Sequence, residues 1–258
     1  MQVLASYSEA GGATKTTTAV SLAMVAAEEG RDVVLVDLDP RAASTKWTGV
    51  EPTSKGLHVG AILADEDPAG WADELAVPCA WSPHLRVIPS ARDVSLREGE
   101  RADHAEVRLR ASLEGLSADL VVIDCPNRQG GPLIQNALTA ADSIVYAAKL
   151  DEDGLDGVDG AAATVARFHA NRRRLGLDPS VHEAGIVVGA VRDVVMSRNA
   201  RRALAELRTA YPGLVLHPLV PDRVIVGEAR SAHAYYGAYP AGQPVHAAYQ
   251  ALAQQVIR

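Results

Sequence analysis

The chain has 258 residues, 48 % of them hydrophobic, with a mean hydropathy of zero and a net charge of −7. That length suits one α/β domain spanning 1–258, and the acidic balance excludes a protein that coats nucleic acid with its whole surface while allowing a local basic patch. Two distant cysteines, Cys79 and Cys125, exclude a disulfide framework or a zinc cage and fit a reducing cytoplasm. In chain order, Val3–Tyr7 reads as a strand, and Lys15–Glu29 as a helix closed by Gly30. Asp32–Asp37 and His84–Ile88 read as strands and Arg101–Leu116 as a charged amphipathic helix. Asp119–Asp124 is a strand, Pro132–Ala140 a helix and Ser143–Ala147 a strand. Leu155–Leu175 is a long Ala-rich helix, Glu183–Gly189 a strand and Arg198–Tyr211 a helix. A seventh strand is expected at Leu214–His217 and a final helix at Val245–Ile257.

Strands as apolar as VVLVD and LVVID are buried on both faces, as in a parallel sheet. Their alternation with helices implies a doubly wound, mostly parallel sheet of about seven strands flanked by helices. With aromatics at 4 %, Ala, Val and Leu are expected to fill the core. No signal segment is expected, nor an apolar run able to span a bilayer. The histidines form no H-x-x-x-H pair that would point to a metal site.

In open α/β sheets ligands bind beyond the carboxyl ends of strands, and three clusters lie there. The first is Ser8–Thr17, SEAGGATKTT. Gly11 and Gly12 permit positive φ and close backbone approach. The following helix N-terminus attracts phosphate, with Ala13, Thr14 and Thr17 completing the loop. Lys15 is placed to reach a β- or γ-phosphate and Thr16 to ligate Mg²⁺. The pattern G-x-x-x-x-G-K-[ST] is broken by Glu9 and Thr14, which stand where its glycines belong. The second cluster is Asp37-Leu38-Asp39-Pro40. The third is Asp124-Cys125-Pro126-Asn127, in which Asp124 is placed to hold Mg²⁺ through its water shell.

Together these stretches resemble the ParA/MinD family of deviant Walker A partition ATPases. The family pattern K-G-G-x-G-K-T-T aligns with Ala10–Thr17, D-x-D-P-Q with Asp37–Arg41, and hydrophobic-D-x-P-P with Ile123–Asn127. Weaker matches continue to Tyr249–Ala253. The resemblance implies a P-loop NTPase fold and an ATPase that uses ATP and Mg²⁺. Lys15 and Thr16 would hold the phosphates, Asp37 would sit in the Mg²⁺ shell and Asp39 would orient the attacking water. Pro221 and Asp222 would border the nucleotide. It further implies an ATP-driven homodimer, non-specific DNA binding, a ParB-like or other DNA-binding adaptor that stimulates hydrolysis, and a cytoplasmic, nucleoid-associated protein that segregates plasmid or chromosome copies.

The chain departs from the family at Ala10, where a signature lysine would reach across the dimer; Lys46 and Lys149 are the candidate substitutes. Glu9 would repel a triphosphate unless it points away. Thr14, if held at positive φ, costs about 1–2 kcal/mol. The family's basic segment after Pro221 is thinned to Arg223 and Arg230. Arg198, Arg201 and Arg202, with Arg192 and Arg208 nearby, form a second candidate DNA patch or an ordinary solvated face. Arg172–Arg174 end a helix, where cations also satisfy the macrodipole. Tyr235, Tyr236 and Tyr239 either stack on a base or pack a loop on the sheet. The alternative function is a nucleotide-sensing positioning or scaffold protein of the same fold with little or no hydrolysis. A metabolic synthetase or an iron–sulfur reductase is a third reading, disfavoured by the wide cysteine spacing.

Overall fold

The computed structural model describes residues 1–178, 181–192 and 196–258. One sheet carries seven strands in the order β3-β4-β2-β5-β1-β6-β7. They are β1 (Gln2–Tyr7), β2 (Val33–Asp37), β3 (Val77–Pro78), β4 (Leu85–Ile88), β5 (Leu120–Asp124), β6 (Ser143–Ala148) and β7 (His182–Val188). All pair in parallel except β3, which is antiparallel to β4. The central strands are buried along both faces, as their unbroken apolar runs require.

Alternate residues divide the core into two layers. Val3, Ala5 and Tyr7 of β1 face a layer with α5 (Arg108–Ser112), α6 (Pro132–Ala140) and α7 (Glu152–Arg174). Leu4 faces the other layer, with α1 (Lys15–Glu28) and α10 (Gln243–Val256). Ala, Val and Leu supply most of the core, yet the largest fully buried side chains include Trp47, Tyr7, Tyr146, Tyr236 and Tyr249. Buried tyrosines need hydrogen-bond partners. Tyr236 pairs with Ser21 at 2.6 Å and Tyr249 with Thr18 at 3.1 Å, pinning α1 to the C-terminal region.

Two expected elements differ. Leu214–His217 is not a strand: Val215 makes one isolated bridge to Ile186, and the seventh strand is instead the two-residue β3. The pairing cannot extend because Pro218 follows and has no N–H to give. Arg101–Leu116 is not one helix but a 3₁₀ turn, Ala105–Val107, followed by the five-residue α5. His104 at φ 60 breaks it, and the Asn136 side chain takes over Leu109 N–H and Ala105 C=O at 3.0 and 2.9 Å. The remaining helices lie near their expected bounds, with α8 at Arg198–Ala210. The short α2 (Ala43–Thr48), α3 (Val59–Ile62), α4 (Trp71–Leu75) and α9 (Val224–Ser231) carry too little periodicity to be read from sequence. No helix among the described residues is long and apolar enough to cross a membrane.

Candidate functional site

The sheet order places β5 between β1 and β2, so the three sequence clusters share one edge. Ser6 and Asp37 are both in register with Asp124. The loop Ser8–Thr14 rises from the end of β1 and enters α1. Ser6 Oγ fastens its far end by donating to Lys15 C=O at 3.1 Å. Gly11 and Gly12 are exposed at its crest, Gly12 at φ 75. A Cβ on Gly11 would lie 3.4 Å from Asn127 Nδ2, and one on Gly12 3.9 Å from Lys149 Nζ. The Lys149 ammonium therefore stands beside the loop, whereas Lys46 donates to Arg41 C=O at 2.7 Å.

Thr14 adopts the left-handed conformation, φ 67 and ψ 13, and caps α1 with no side-chain hydrogen bond. Its Oγ1 is buried without a partner, and its side chain fits because Gly189 leaves space. A Cβ on Gly189 would lie 2.5 Å from Thr14 Oγ1 and 3.0 Å from Thr14 Cβ.

Glu9 points away from the loop crest. Its Oε1 accepts from Tyr7 OH at 3.1 Å and from Thr164 Oγ1 of α7 at 2.7 Å. Added Cβ atoms on Gly157 and Gly160 of α7 would collide with Ala10 and with the Glu9 carboxylate respectively. Glu9 N–H also donates to Gly157 C=O at 3.0 Å. The loop shoulder is thus seated on a glycine face of α7, and Ala10 is directed into that contact.

Lys15 is buried, and its Nζ donates to Ala10 C=O at 2.8 Å. Burial lowers its pKa, against the pull of Asp124 and Asp39. Asp124 is buried, with Oδ2 accepting from Ser44 Oγ of α2 at 2.6 Å and Oδ1 without a partner. Burial pushes its pKa up to about 6, restrained by Ser44 and the nearby Thr16 hydroxyl. Asp37 is raised further, to about 8, by burial and by the neighbouring Asp124 charge. Asp37 is already well occupied: Oδ1 accepts from Asp39 N–H at 3.1 Å, and Oδ2 from Thr45 N–H and Oγ1, both at 2.8 Å. It fixes the start of α2 and the turn that presents Asp39. The Asp39 carboxylate accepts from Arg41 N–H at 2.8 Å, and Ser90 Oγ donates to Asp39 C=O at 2.8 Å.

These features suit a phosphate chain and a cation. The loop crest is open, a buried carboxylate oxygen is unpartnered, and a lysine rests on a neutral carbonyl that a phosphate can displace. Val191 bridges Pro221, with Asp222 N–H donating to Val191 C=O at 2.7 Å. This carries Pro221 and Asp222 to the segment after Gly189, next to Thr14.

The arginines are dispersed. Arg198, Arg201 and Arg202 are exposed on α8, but Arg202 also lines a cleft of about 570 Å³ with Asp151, Glu152 and Asp153. Arg223 donates to Asp222 C=O at 2.8 Å. Arg230 stacks 6.0 Å from the Trp47 ring. Tyr235 and Tyr236 pack inside, 4.7 Å apart, against Trp81 and Trp47 respectively, while Tyr239 is exposed.

The family model described as an AAA domain matches residues 1–176. The chromosome-partitioning ATPase Soj of Thermus thermophilus is 30 % identical over 254 residues, covering 98 % of this chain and 94 % of that protein. The chain belongs to the ParA/MinD family. The ParA/MinD fold extends over its whole length: apo McdA from Cyanothece superposes with a TM-score of 0.83 over 99 % of both chains, at 21 % identity. Cobyrinic acid a,c-diamide synthase from Mycobacterium smegmatis, solved with an ATP analogue and magnesium, gives 0.77 at 25 % identity, over 98 % of this chain and 93 % of that one.

Sequence reasoning named Lys15, Asp37, Asp39 and Asp124, and the fold brings them to one edge. It missed Ser44 and Thr45, which hold the two carboxylates, and Gly189, which accommodates Thr14. It also missed the seat on α7, whose only sequence signal is the spacing Gly154-x-x-Gly157-x-x-Gly160.

Proposed function

We propose that this ParA/MinD-family chain is an ATP-dependent switch for DNA segregation, acting as one domain. The observation that carries the reading is the row Ser6–Asp124–Asp37 beneath an open Gly11–Gly12 loop, with Lys15 buried in it and Asp124 Oδ1 unpartnered. ATP–Mg²⁺ would supply the transferable phosphoryl group and the neutralising cation. Gly11–Thr17 cradle the phosphates, with Lys15 and Thr16 as the charged and hydroxyl contacts. Asp124 anchors the cation shell, Asp37 backs it and Asp39 orients water. Pro221 and Asp222 border the nucleotide. Lys149 supplies the loop-side positive charge that Ala10 lacks; its Nζ, 3.9 Å from where a Cβ on Gly12 would stand, supports it over Lys46.

Two copies close on the nucleotide, and the closed form binds DNA without sequence preference through Arg198, Arg201, Arg202, Arg223 and Arg230. A ParB-like adaptor then stimulates hydrolysis and release, so the protein cycles on the nucleoid in the cytoplasm. The test is ATP turnover with and without DNA, together with Asp39→Ala. Turnover stimulated by DNA and abolished in Asp39→Ala is expected; unimpaired turnover in the variant refutes the assignment of Asp39. The scaffold reading is favoured by the seating of Ala10 on α7 and by the apolar start of α9, where Val224 is 79 % exposed. Basal and stimulated turnover both near zero, with ATP binding intact, would select it.

A further inference from the structure

A second concave surface lies beside the Asp39 turn. It is a cleft of about 770 Å³ between α2 with the segment after it and the start of the 3₁₀ helix Arg92–Gly99. Arg41, Lys46, Lys55 and Arg92 line it against a single carboxylate, Glu51. In a chain of net charge −7, this local surplus of cations runs against the background. Elsewhere among the described residues five arginines have carboxylate partners, including Arg86 with Asp73 at 2.8 Å, Arg128 with Glu98 at 2.7 Å and Arg108 with Glu100 at 3.4 Å; what sets the cleft apart is four cations converging on one concavity. Among the described residues no carboxylate pairs with any of the four cations in the cleft, and all four are exposed. Val50 and Pro52 add apolar wall, and the volume is that of a small-molecule site. Four unneutralised cations around one concavity recognise a polyanion, and arginine matches phosphate oxygens in particular.

The walls of the cleft are also the supports of the nucleotide site. Thr45 on one side holds Asp37 through two hydrogen bonds. Ser90 on the other donates its hydroxyl to Asp39 C=O and its N–H to Thr45 Oγ1 at 2.9 Å. We propose that this cleft is a second, phosphate-recognising site, separate from the Lys15 loop, whose occupant contacts the residues that fix Asp37 and Asp39. The phosphate belongs either to a free phosphorylated small molecule or to a DNA backbone.

The test titrates inorganic tripolyphosphate into the full-length Lys15→Ala protein by calorimetry, alone and combined with Arg41→Glu, Lys55→Glu and Arg92→Glu. Expected is saturable binding in Lys15→Ala that weakens at least about tenfold in the combined variant and is unchanged by Arg173→Glu, an exposed arginine outside the cleft. The Arg41→Gln, Lys55→Gln, Arg92→Gln set, which removes the cations without adding carboxylates, is expected to give a comparable loss; a loss confined to the Glu set reports a disturbed α2 and overturns the proposal. Anisotropy of a short DNA duplex, measured with ATP–Mg²⁺ and with the three substitutions made in the protein that keeps Lys15, separates the sources. Parallel loss of duplex binding, with competition by tripolyphosphate, assigns the site to DNA; loss of tripolyphosphate alone assigns it to a small molecule. No binding to Lys15→Ala, or an affinity indifferent to the three substitutions, overturns the proposal. Failure of ATP binding in the unmodified protein is a separate result, because the Lys15 loop takes no part in this site.

Discussion

Thr14 and Gly189 form a pair whose energies are separable by a double-mutant cycle. Gly189→Ala places a Cβ 2.5 Å from Thr14 Oγ1, 2.9 Å from Cγ2 and 3.0 Å from Cβ. None of these is the far end of a flexible chain, so the overpacking should cost about 1–3 kcal/mol. Thr14→Gly removes a β-branched residue from φ 67, a gain of about 1–2 kcal/mol, and removes a buried unpartnered hydroxyl. Against this stand the lost burial of a methyl, about 0.8 kcal/mol, and the greater unfolded freedom of glycine, about 0.5–1 kcal/mol. Thr14→Gly alone should therefore be neutral to mildly stabilising. In its background Gly189→Ala should cost almost nothing, giving a coupling of about 1–3 kcal/mol. Denaturant unfolding of the four proteins without nucleotide measures it. Additivity within about 0.5 kcal/mol would refute the argument that Gly189 exists to house Thr14.

Lys149→Ala should weaken ATP binding about tenfold by calorimetry, with Lys46→Ala within threefold; equal effects would remove Lys149 from the phosphate contacts. Glu9→Ala should cost about 1–3 kcal/mol by removing the acceptor of the Thr164 hydroxyl, Tyr7 keeping Arg128 C=O at 2.6 Å, while leaving ATP affinity within threefold, because the carboxylate faces α7. Asp37 and Asp124 have folded pKa values raised to about 8 and about 6, so the folded state binds more protons than the unfolded chain. Their contribution is present below the ordinary carboxylate range and is lost as pH rises through 6 and 8. In chelator, the unfolding free energy of the unmodified protein minus that of Asp124→Asn should fall from pH 4 to pH 8; a flat difference contradicts the shifts.

Most of the sheet was legible because parallel central strands are buried on both faces, and LVVID or VVLVD leaves little alternative. The chemistry was legible for a related reason: Lys15 and Asp39 lie beyond the carboxyl ends of strands and Asp124 is the last residue of one. Leu214–His217 misled because four apolar and polar residues suit a strand locally, while Pro218 has no N–H to give and Val188 C=O accepts instead from Val220 N–H at 2.9 Å. The 101–116 segment failed because its charges imitate an amphipathic helix, and Asn136, distant in sequence, satisfies its backbone. What sequence could not convey was contact across the fold. Whether Glu9 faced a phosphate depended on Thr164 and Gly160, and the space for Thr14 depended on Gly189.

The central claim is that a loop altered at Glu9, Ala10 and Thr14 still binds nucleotide. Calorimetric titration of ATP–Mg²⁺ into the unmodified protein and into Lys15→Ala tests it most directly. The account predicts a Kd on the order of micromolar for the first and loss of binding in the second. Absence of binding by both proteins would contradict it and leave the ParA/MinD fold serving assembly alone.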